Sequence, residues 1–280
     1  MIVFPNAKIN LGLQVLRRRA DGYHDISTVM LPVDWCDILE ITPAQDLDGS
    51  FVQCGDVPPC AAADNIVLKA LKALEKHLGY ALPPLDIILE KHIPHGAGMG
   101  GGSADASFAL KAVDSLLGLN LGDAVLAAIA AGIGADCPFF IHNRPMLAEG
   151  IGERLSPVDA TALNGLNLVL AKPVSAAVST GAAYAALTPR GNGATPAVIS
   201  IDGLRCGMYI NDFQAPIEAM RPEIGRVRRH LSDHGAVYAA MTGSGAAVFG
   251  FFDNAKMADR AADSLAGCAV HVQHNLRFDP

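Results

Sequence analysis

The chain has 280 residues, enough for one large domain or two modest ones whose core needs no disulfide or metal staples. Hydrophobic residues make up 51% of it and charged residues only 18%, which excludes intrinsic disorder. A net charge of −7 argues against nonspecific nucleic-acid binding, which depends on phosphate neutralisation, but leaves room for a small anion in a local basic pocket.

The opening Met-Ile-Val-Phe-Pro turns polar at once, so neither a signal peptide nor a membrane partner is expected. The first regular element is a strand: Ala7, Ile9, Leu11, Leu13 and Val15 point to one face, and Lys8, Asn10, Gly12 and Gln14 to the other. Taken alone, the polar face reads as a solvated sheet edge. A buried lysine there would instead need an anion to offset its charge. Arg17-Arg18-Arg19-Ala20-Asp21-Gly22-Tyr23-His24 then forms a charged turn ending in two flat rings. Strands are expected at Ile26–Val33, Ile38–Thr42 and Ser50–Cys54. A helix follows, capped by Asp64, with Ile66, Leu68, Ala70, Leu71, Leu74 and Leu78 at helical spacing and Gly79 at its end.

After a β run at Leu85–Leu89 comes Pro94-His95-Gly96-Ala97-Gly98-Met99-Gly100-Gly101-Gly102-Ser103, followed by a helix from about Ala104 to Leu117. Five glycines lie between Gly96 and Gly102. Glycine accepts positive φ and lacks a Cβ, so backbone N–H groups can turn toward one point, and the helix N-terminus adds partial positive charge. That is a phosphate cradle, with a tight structural turn as the bland alternative. It is not the P-loop of NTPases, because Gly102 rather than Lys precedes Ser103. Gly96, Gly98 and Gly101 nominally fit the dinucleotide fingerprint, with Asp114 or Asp123 downstream, but no βαβ repeat flanks them. A Rossmann-type oxidoreductase therefore stays a weaker alternative.

The next helix is expected at Asp123–Ile133, with Gly134-Ala135-Asp136-Cys137-Pro138 ending it. Asp136 would then sit away from the favourable dipole end and gain from something cationic. In the second half a strand is expected at Asn167–Ala171, a short helix at Gly181–Leu187 and a loop over Thr188–Ser200. One long helix at Asp212–His234 precedes strands at Val237–Met241 and Ala247–Phe252, a helix at Ala255–Leu265 and a strand at Ala269–His274. Thr242-Gly243-Ser244-Gly245 joins two of these strands and is small enough to let another backbone come close. Antiparallel strands with helices on one side predict an α+β, βαββαβ-like second domain, with the boundary near residue 155. The six cysteines include no C-x-x-C pair, which predicts reduced thiols and a cytoplasmic protein. His230 with His234 and His271 with His274 read as ordinary histidines, and no metal site is expected from them.

Three segments in this order resemble the GHMP kinase family of galactokinase, homoserine kinase, mevalonate kinase and phosphomevalonate kinase: Pro5-Asn6-Ala7-Lys8-Ile9-Asn10-Leu11, Pro94 to Ser107, and Thr242-Gly243-Ser244-Gly245-Ala246. Arg19 to His24, Gly134 to Pro138 and Ala148-Glu149-Gly150-Ile151-Gly152-Glu153 resemble the branch acting on a cytidine diphosphate-linked polyol in the non-mevalonate isoprenoid pathway.

The resemblance implies a two-domain fold. Residues 1–155 would form a domain like ribosomal protein S5 domain 2, carrying the ATP phosphate loop, and 156–280 a ferredoxin-like domain. It implies Lys8 and Asp136 as the catalytic pair, with Pro94, His95, Gly96, Ala97, Gly98, Met99, Gly100, Gly101, Gly102, Ser103 and Ala104 around the ATP phosphates and Lys91 near the nucleotide. Asn10, Tyr23 and His24 would hold the cytidine diphosphate portion, with Thr180 nearby and Tyr184 facing His24 across the cytosine. Mg2+ is expected with ATP, with Ser103 a candidate ligand, and the molecule would be a monomer or homodimer. Homoserine- or mevalonate-type activity is the alternative within the family.

Overall fold

A computed structural model describes every residue except 47, 57–60, 62–63, 188–192 and 280. Part of the expected Thr188–Ser200 loop, and Cys60, thus lie outside the described residues. The other five cysteines are free thiols. By contact the chain divides into two compact units. The first comprises residues 1–7, 34–95 and 100–143, and the second residues 8–33, 96–99 and 144–280.

The first unit is built on a sheet of order β1-β4-β6-β5, from β1 (Ile2–Val3), β4 (Ile38–Pro43), β5 (Ser50–Gly55) and β6 (Leu85–Lys91). β1, β4 and β6 pair antiparallel, whereas β5 runs parallel to β6. Helix α1 (Ile66–Leu78) buries Val67, Ala70, Leu71 and Leu74, the i, i+3, i+4 and i+7 positions of one face. Its cap is Asn65 rather than Asp64: the Asn65 side chain accepts from the Val67 N–H, and Gly79 ends the helix at φ 77°. Helix α2 (Gly101–Leu116) begins inside the glycine run, three residues before the expected Ala104, because Gly100 already turns the chain at φ 72°. Helices α3 (Asp123–Ala131) and α4 (Cys137–His142) complete the unit, whose core packs Leu39, Ile41, Ile87 and Leu89 of the sheet with Leu74, Leu110, Val113 and Leu126 of the helices. Each such fully buried aliphatic side chain contributes about 1.5–3 kcal/mol.

The second unit holds two sheets. One, of order β2-β3-β7-β8, contains β2 (Asn6–Arg18) and β3 (His24–Cys36), with β7 (Met146–Gly150) and β8 (Arg154–Pro157), which the sequence reading missed because each is too short to show alternation. The other, of order β10-β11-β9-β12, contains β9 (Asn167–Pro173), β10 (Tyr238–Met241), β11 (Val248–Phe252) and β12 (Cys268–Gln273), all antiparallel. With helices inserted before β10 and before β12, this is the expected ferredoxin-like βαββαβ order.

Helices α5 (Thr180–Ala185), α6 (Ile201–Arg205), α7 (Gln214–Met220), α8 (Pro222–Asp233) and α9 (Ala255–Asp263) belong to this unit. The single helix expected over Asp212–His234 is two helices. Pro222 has no N–H to continue the ladder and pushes Arg221 to φ −134°, ψ 78°, so α7 stops and α8 starts with proline in its first turn.

Candidate active site

In the second unit, Lys8 and Asn10 stand on the polar face of β2, yet they are only 3% and 1% exposed, so this face is no solvated edge. What covers it is the glycine segment and the turn after β10. The Lys8 N–H donates to the Met99 carbonyl (3.0 Å), and its ammonium donates to Asn10 Oδ1 (2.5 Å) and to the Gly98 carbonyl (3.0 Å). The Asn10 N–H donates to Thr242 Oγ1 (2.9 Å). Its side-chain amide donates to Thr28 Oγ1 (3.0 Å), which donates to the Gly12 carbonyl (2.5 Å). A buried polar row of this kind is tolerated because its members are hydrogen-bonded. Thr28 carries no sequence signal that marks it for this role.

The glycine segment is stitched to the turn by two backbone bonds of 3.1 Å, from the Ala246 N–H to the Gly96 carbonyl and from the Ala247 N–H to the Ala97 carbonyl. Two glycines allow the approach. Gly98 has φ +72°, and a Cβ there would lie 2.5 Å from the Thr242 carbonyl oxygen; a Cβ on Gly243 would lie 2.8 Å from the Gly98 carbonyl oxygen. Thr242-Gly243-Ser244-Gly245 is therefore a turn whose smallness serves a backbone contact.

In the first unit, Gly101, Gly102 and Ser103 form the opening turn of α2, whose first N–H groups have no intrahelical acceptors and carry the helix's partial positive charge. Asp136 was expected at the unfavourable end of a helix; it is instead the residue that starts α4, at the end where the dipole favours a carboxylate, and it makes no capping bond to that helix. The reversal arises because α3 stops at Ala131 and a six-residue helix too short to be periodic follows. Ser107 Oγ donates to the Cys137 carbonyl (2.7 Å), and a Cβ on Gly134 would lie 3.3 Å from Cys137 Sγ and 3.9 Å from Ser103 Oγ, so the Asp136 turn packs on the first turns of α2. Burial pushes the Cys137 thiol up to about 11, leaving it inert as a nucleophile.

Lys91, at the end of β6, is 7% exposed, and its ammonium lies between two carboxylates, those of Asp37 and of Asp105, the latter at 2.6 Å. Pro94 and His95 lead from there toward Gly96. Asp37 and Asp105 were not singled out from sequence: Asp37 belongs to no motif, Asp105 lies in the Pro94–Ser107 stretch with no role read for it, and only the fold shows both buried.

Back in the second unit, His24 and Tyr184 stack face to face, with ring centroids 4.6 Å apart and planes 21° off parallel. Phe213 braces Tyr184 edge-on at 4.9 Å. Burial and the charge of Arg18 hold His24 below the usual imidazole range, so the ring is neutral at physiological pH. Thr180 Oγ1 lies 3.4 Å from Ser244 Oγ, beside the same turn. Tyr23 is 61% exposed at the tip of the β2–β3 hairpin, where its carbonyl accepts from the Arg19 N–H.

A lysine seated on a glycine loop, itself laced to a small-residue turn far along the chain, is an arrangement for handling a phosphorylated nucleotide, and the chain belongs to the GHMP kinase family. Residues 65–144 match the GHMP kinases N terminal domain and residues 196–270 the GHMP kinases C terminal domain. Over 266 residues the chain is 45% identical to the 4-diphosphocytidyl-2-C-methyl-D-erythritol kinase of Porphyromonas gingivalis, covering 94% of this chain and 96% of that protein. A crystal structure of 4-(cytidine 5'-diphospho)-2C-methyl-D-erythritol kinase superposes with a TM-score of 0.80 at 30% identity, over 97% of this chain and 98% of that one. A mevalonate kinase structure shares the fold alone, with a TM-score of 0.74 at 12% identity over 98% of each chain. The chain thus has the two-domain GHMP kinase fold of mixed helix and strand. Among the described residues no helix is long and apolar enough to cross a membrane.

Proposed function

We propose that this chain transfers the γ-phosphate of ATP to a hydroxyl of 4-diphosphocytidyl-2-C-methyl-D-erythritol, giving the 2-phosphate, a step of the non-mevalonate isoprenoid pathway. The observation that carries this reading is the Lys8 ammonium on the Gly98 carbonyl, which ties a buried cation to the glycine loop. Phosphoryl transfer asks little covalent chemistry of a protein; positioning and charge stabilisation carry most of it. In this reading the N–H groups of Gly96 to Ala104 hold the phosphates and Lys8 stabilises charge on the group in flight. Asp136 orients the attacking hydroxyl and accepts its proton. Asn10, Tyr23, His24, Thr180 and Tyr184 hold the cytidine diphosphate part, with the base between the rings of His24 and Tyr184. Residues 1–155 and 156–280 are its two folding domains, and the kinase acts in the cytoplasm as a monomer or homodimer.

Mg2+ accompanies ATP in this reaction and would neutralise charge between the phosphates. No group of three His, Cys, Asp or Glu side chains that could cage a metal exists among the described residues. An ion that arrives on a triphosphate keeps several waters and takes few protein ligands. The Ser103 hydroxyl in the first turn of α2 would be one.

The direct test is ADP release with the cytidylated polyol against mevalonate and homoserine. Turnover with the first, at a kcat/KM at least ~5-fold above the other two, is expected, since base stacking alone supplies about 1–3 kcal/mol. Turnover with mevalonate or homoserine but not with the cytidylated polyol would move the chain to another branch of the family. Replacing the ring but keeping apolar bulk, Tyr184→Leu should raise KM for the polyol by about 5–100-fold through lost stacking. KM for ATP should stay within about twofold, and a change confined to ATP would remove Tyr184 from the cytosine.

A further inference from the structure

The hydrogen bonds behind Lys8 run in one direction. The Thr28 hydroxyl owns a single proton and donates it to the Gly12 carbonyl (2.5 Å). What it offers Asn10 is therefore a lone pair, which only the NH2 end of the amide can meet, at 3.0 Å. The Oδ1 end must then face the other way. There the Lys8 ammonium donates to it at 2.5 Å, and the Thr242 hydroxyl lies 3.4 Å off. Each group donates to the next: Lys8 to Asn10, Asn10 to Thr28, Thr28 to Gly12.

The two ends of an amide have nearly the same shape, so partners alone decide which way it points. Turned over, Asn10 would set its NH2 against the Lys8 ammonium, donor against donor. No water stands by to repair a lost bond, since Thr28 is 0%, Asn10 1% and Lys8 3% exposed. The far end of the chain is anchored. The Gly12–Leu13 peptide is held through both polar groups, with the Leu13 N–H donating to the Ile210 carbonyl (2.8 Å). Thr195 holds the residue before Thr28: its N–H donates to Ser27 Oγ (3.0 Å) and its hydroxyl to the Ser27 carbonyl (2.6 Å). All these residues belong to the second unit.

We propose that Thr28 is a positioning residue for phosphoryl transfer: its hydroxyl sets the orientation of the Asn10 amide, and the amide, through Oδ1, sets where the Lys8 ammonium points. The effect on turnover rests on the reading of Lys8 as the cation that stabilises charge on the transferred group; the effect on the amide does not. Charge stabilisation depends on a donor already aimed at the transition state, so a misdirected ammonium costs rate rather than substrate affinity.

The experiment compares wild type with Thr28→Val, which keeps the shape and loses the hydroxyl, and with Thr28→Ser, which keeps the hydroxyl and loses a methyl. The rate is read with whichever alcohol wild type accepts. Thr28→Val should lower kcat at least ~10-fold, with KM for ATP and for the alcohol within about threefold of wild type. Thr28→Ser should keep kcat within about threefold although the missing buried methyl lowers its Tm. A residue that only filled space would give the reverse order. Once Asn10 is gone Thr28 has nothing to orient, so kcat of Asn10→Ala/Thr28→Val should lie within about twofold of Asn10→Ala. A further arm needs no turnover. By NMR the side-chain amide hydrogens of Asn10 should exchange slowly with water in wild type and Thr28→Ser, and at least ~10-fold faster in Thr28→Val. The wild-type half of that measurement needs no variant to fold. Equal kcat in Thr28→Val and Thr28→Ser, or fast exchange of the Asn10 amide in wild type, overturns the proposal. Turnover of another alcohol in place of the cytidylated polyol, with the split between Thr28→Val and Thr28→Ser intact, overturns the functional reading and leaves this one standing.

Discussion

Lys8→Ala and Asp136→Ala are each expected to lower kcat by at least ~100-fold, equivalent to about 2.7 kcal/mol of transition-state stabilisation, with the fold intact. For Lys8 the expectation rests on where its ammonium sits: 3% exposed, 2.5 Å from Asn10 Oδ1 and 3.0 Å from the Gly98 carbonyl. A cation in a dry, preorganised setting interacts with developing negative charge far more strongly than one in water, and it needs no reorganisation at the moment of transfer. Asp136 heads α4 without capping it, so its replacement should cost that helix no capping bond. Effects of groups that act on one step do not add, so the double variant should lose little more than the worse single one. The measurements are kcat by ADP release and a thermal melt for each variant. Near wild-type turnover in both folded single variants would remove these residues from the chemistry.

Gly98→Ala is expected to destabilise the protein severely and to abolish nucleotide binding, while Gly96→Ala is tolerated far better. Both glycines have positive φ, +72° and +63°, so both alanines meet left-handed strain of about 1–2 kcal/mol. Only at Gly98 does a Cβ also strike backbone, 2.5 Å from the Thr242 carbonyl oxygen and 3.1 Å from that of Gly245; at Gly96 nothing lies within 4 Å. A backbone obstacle cannot rotate away, so the loop or the turn must shift, and the Lys8–Gly98 contact shifts with it. Chemical denaturation of the two variants should show a loss at Gly98 exceeding that at Gly96 by at least about 2 kcal/mol, of the order of other overpacking penalties. Equal losses would show that the loop does not press on the turn.

Much of this was legible in the chain. The alternation of Ala7 to Val15, the helical spacing of Ile66 to Leu78 and the glycine run located β2, α1 and the start of α2, since periodicity and turn chemistry are local properties. Non-local facts were not. Alternating polar residues on a strand ordinarily mean solvent, and the burial of Lys8 and Asn10 depends on Gly98 and Thr242, 90 and 232 positions away. The companions of Lys91 were invisible for the same reason, as Asp37 lies 54 residues before it. The short elements α4, β7 and β8 carry too few residues for a period, which is why Asp136 was assigned to the wrong end of a helix. The break between α7 and α8 was written in Pro222 and overridden by the amphipathic run around it.

Under the proposed function, the stacked rings of His24 and Tyr184 have to part before a cytosine can enter between them. Van der Waals contact needs about 3.5–4.0 Å per layer, so a base between the rings requires about 7–8 Å between them, against the 4.6 Å they keep. A flat heterocycle can wedge them apart because it trades one ring-on-ring contact for two ring-on-base contacts. A bare sugar alcohol has no face to offer in exchange and leaves the door closed, so the enzyme would screen for the nucleotide handle before the hydroxyl is ever presented.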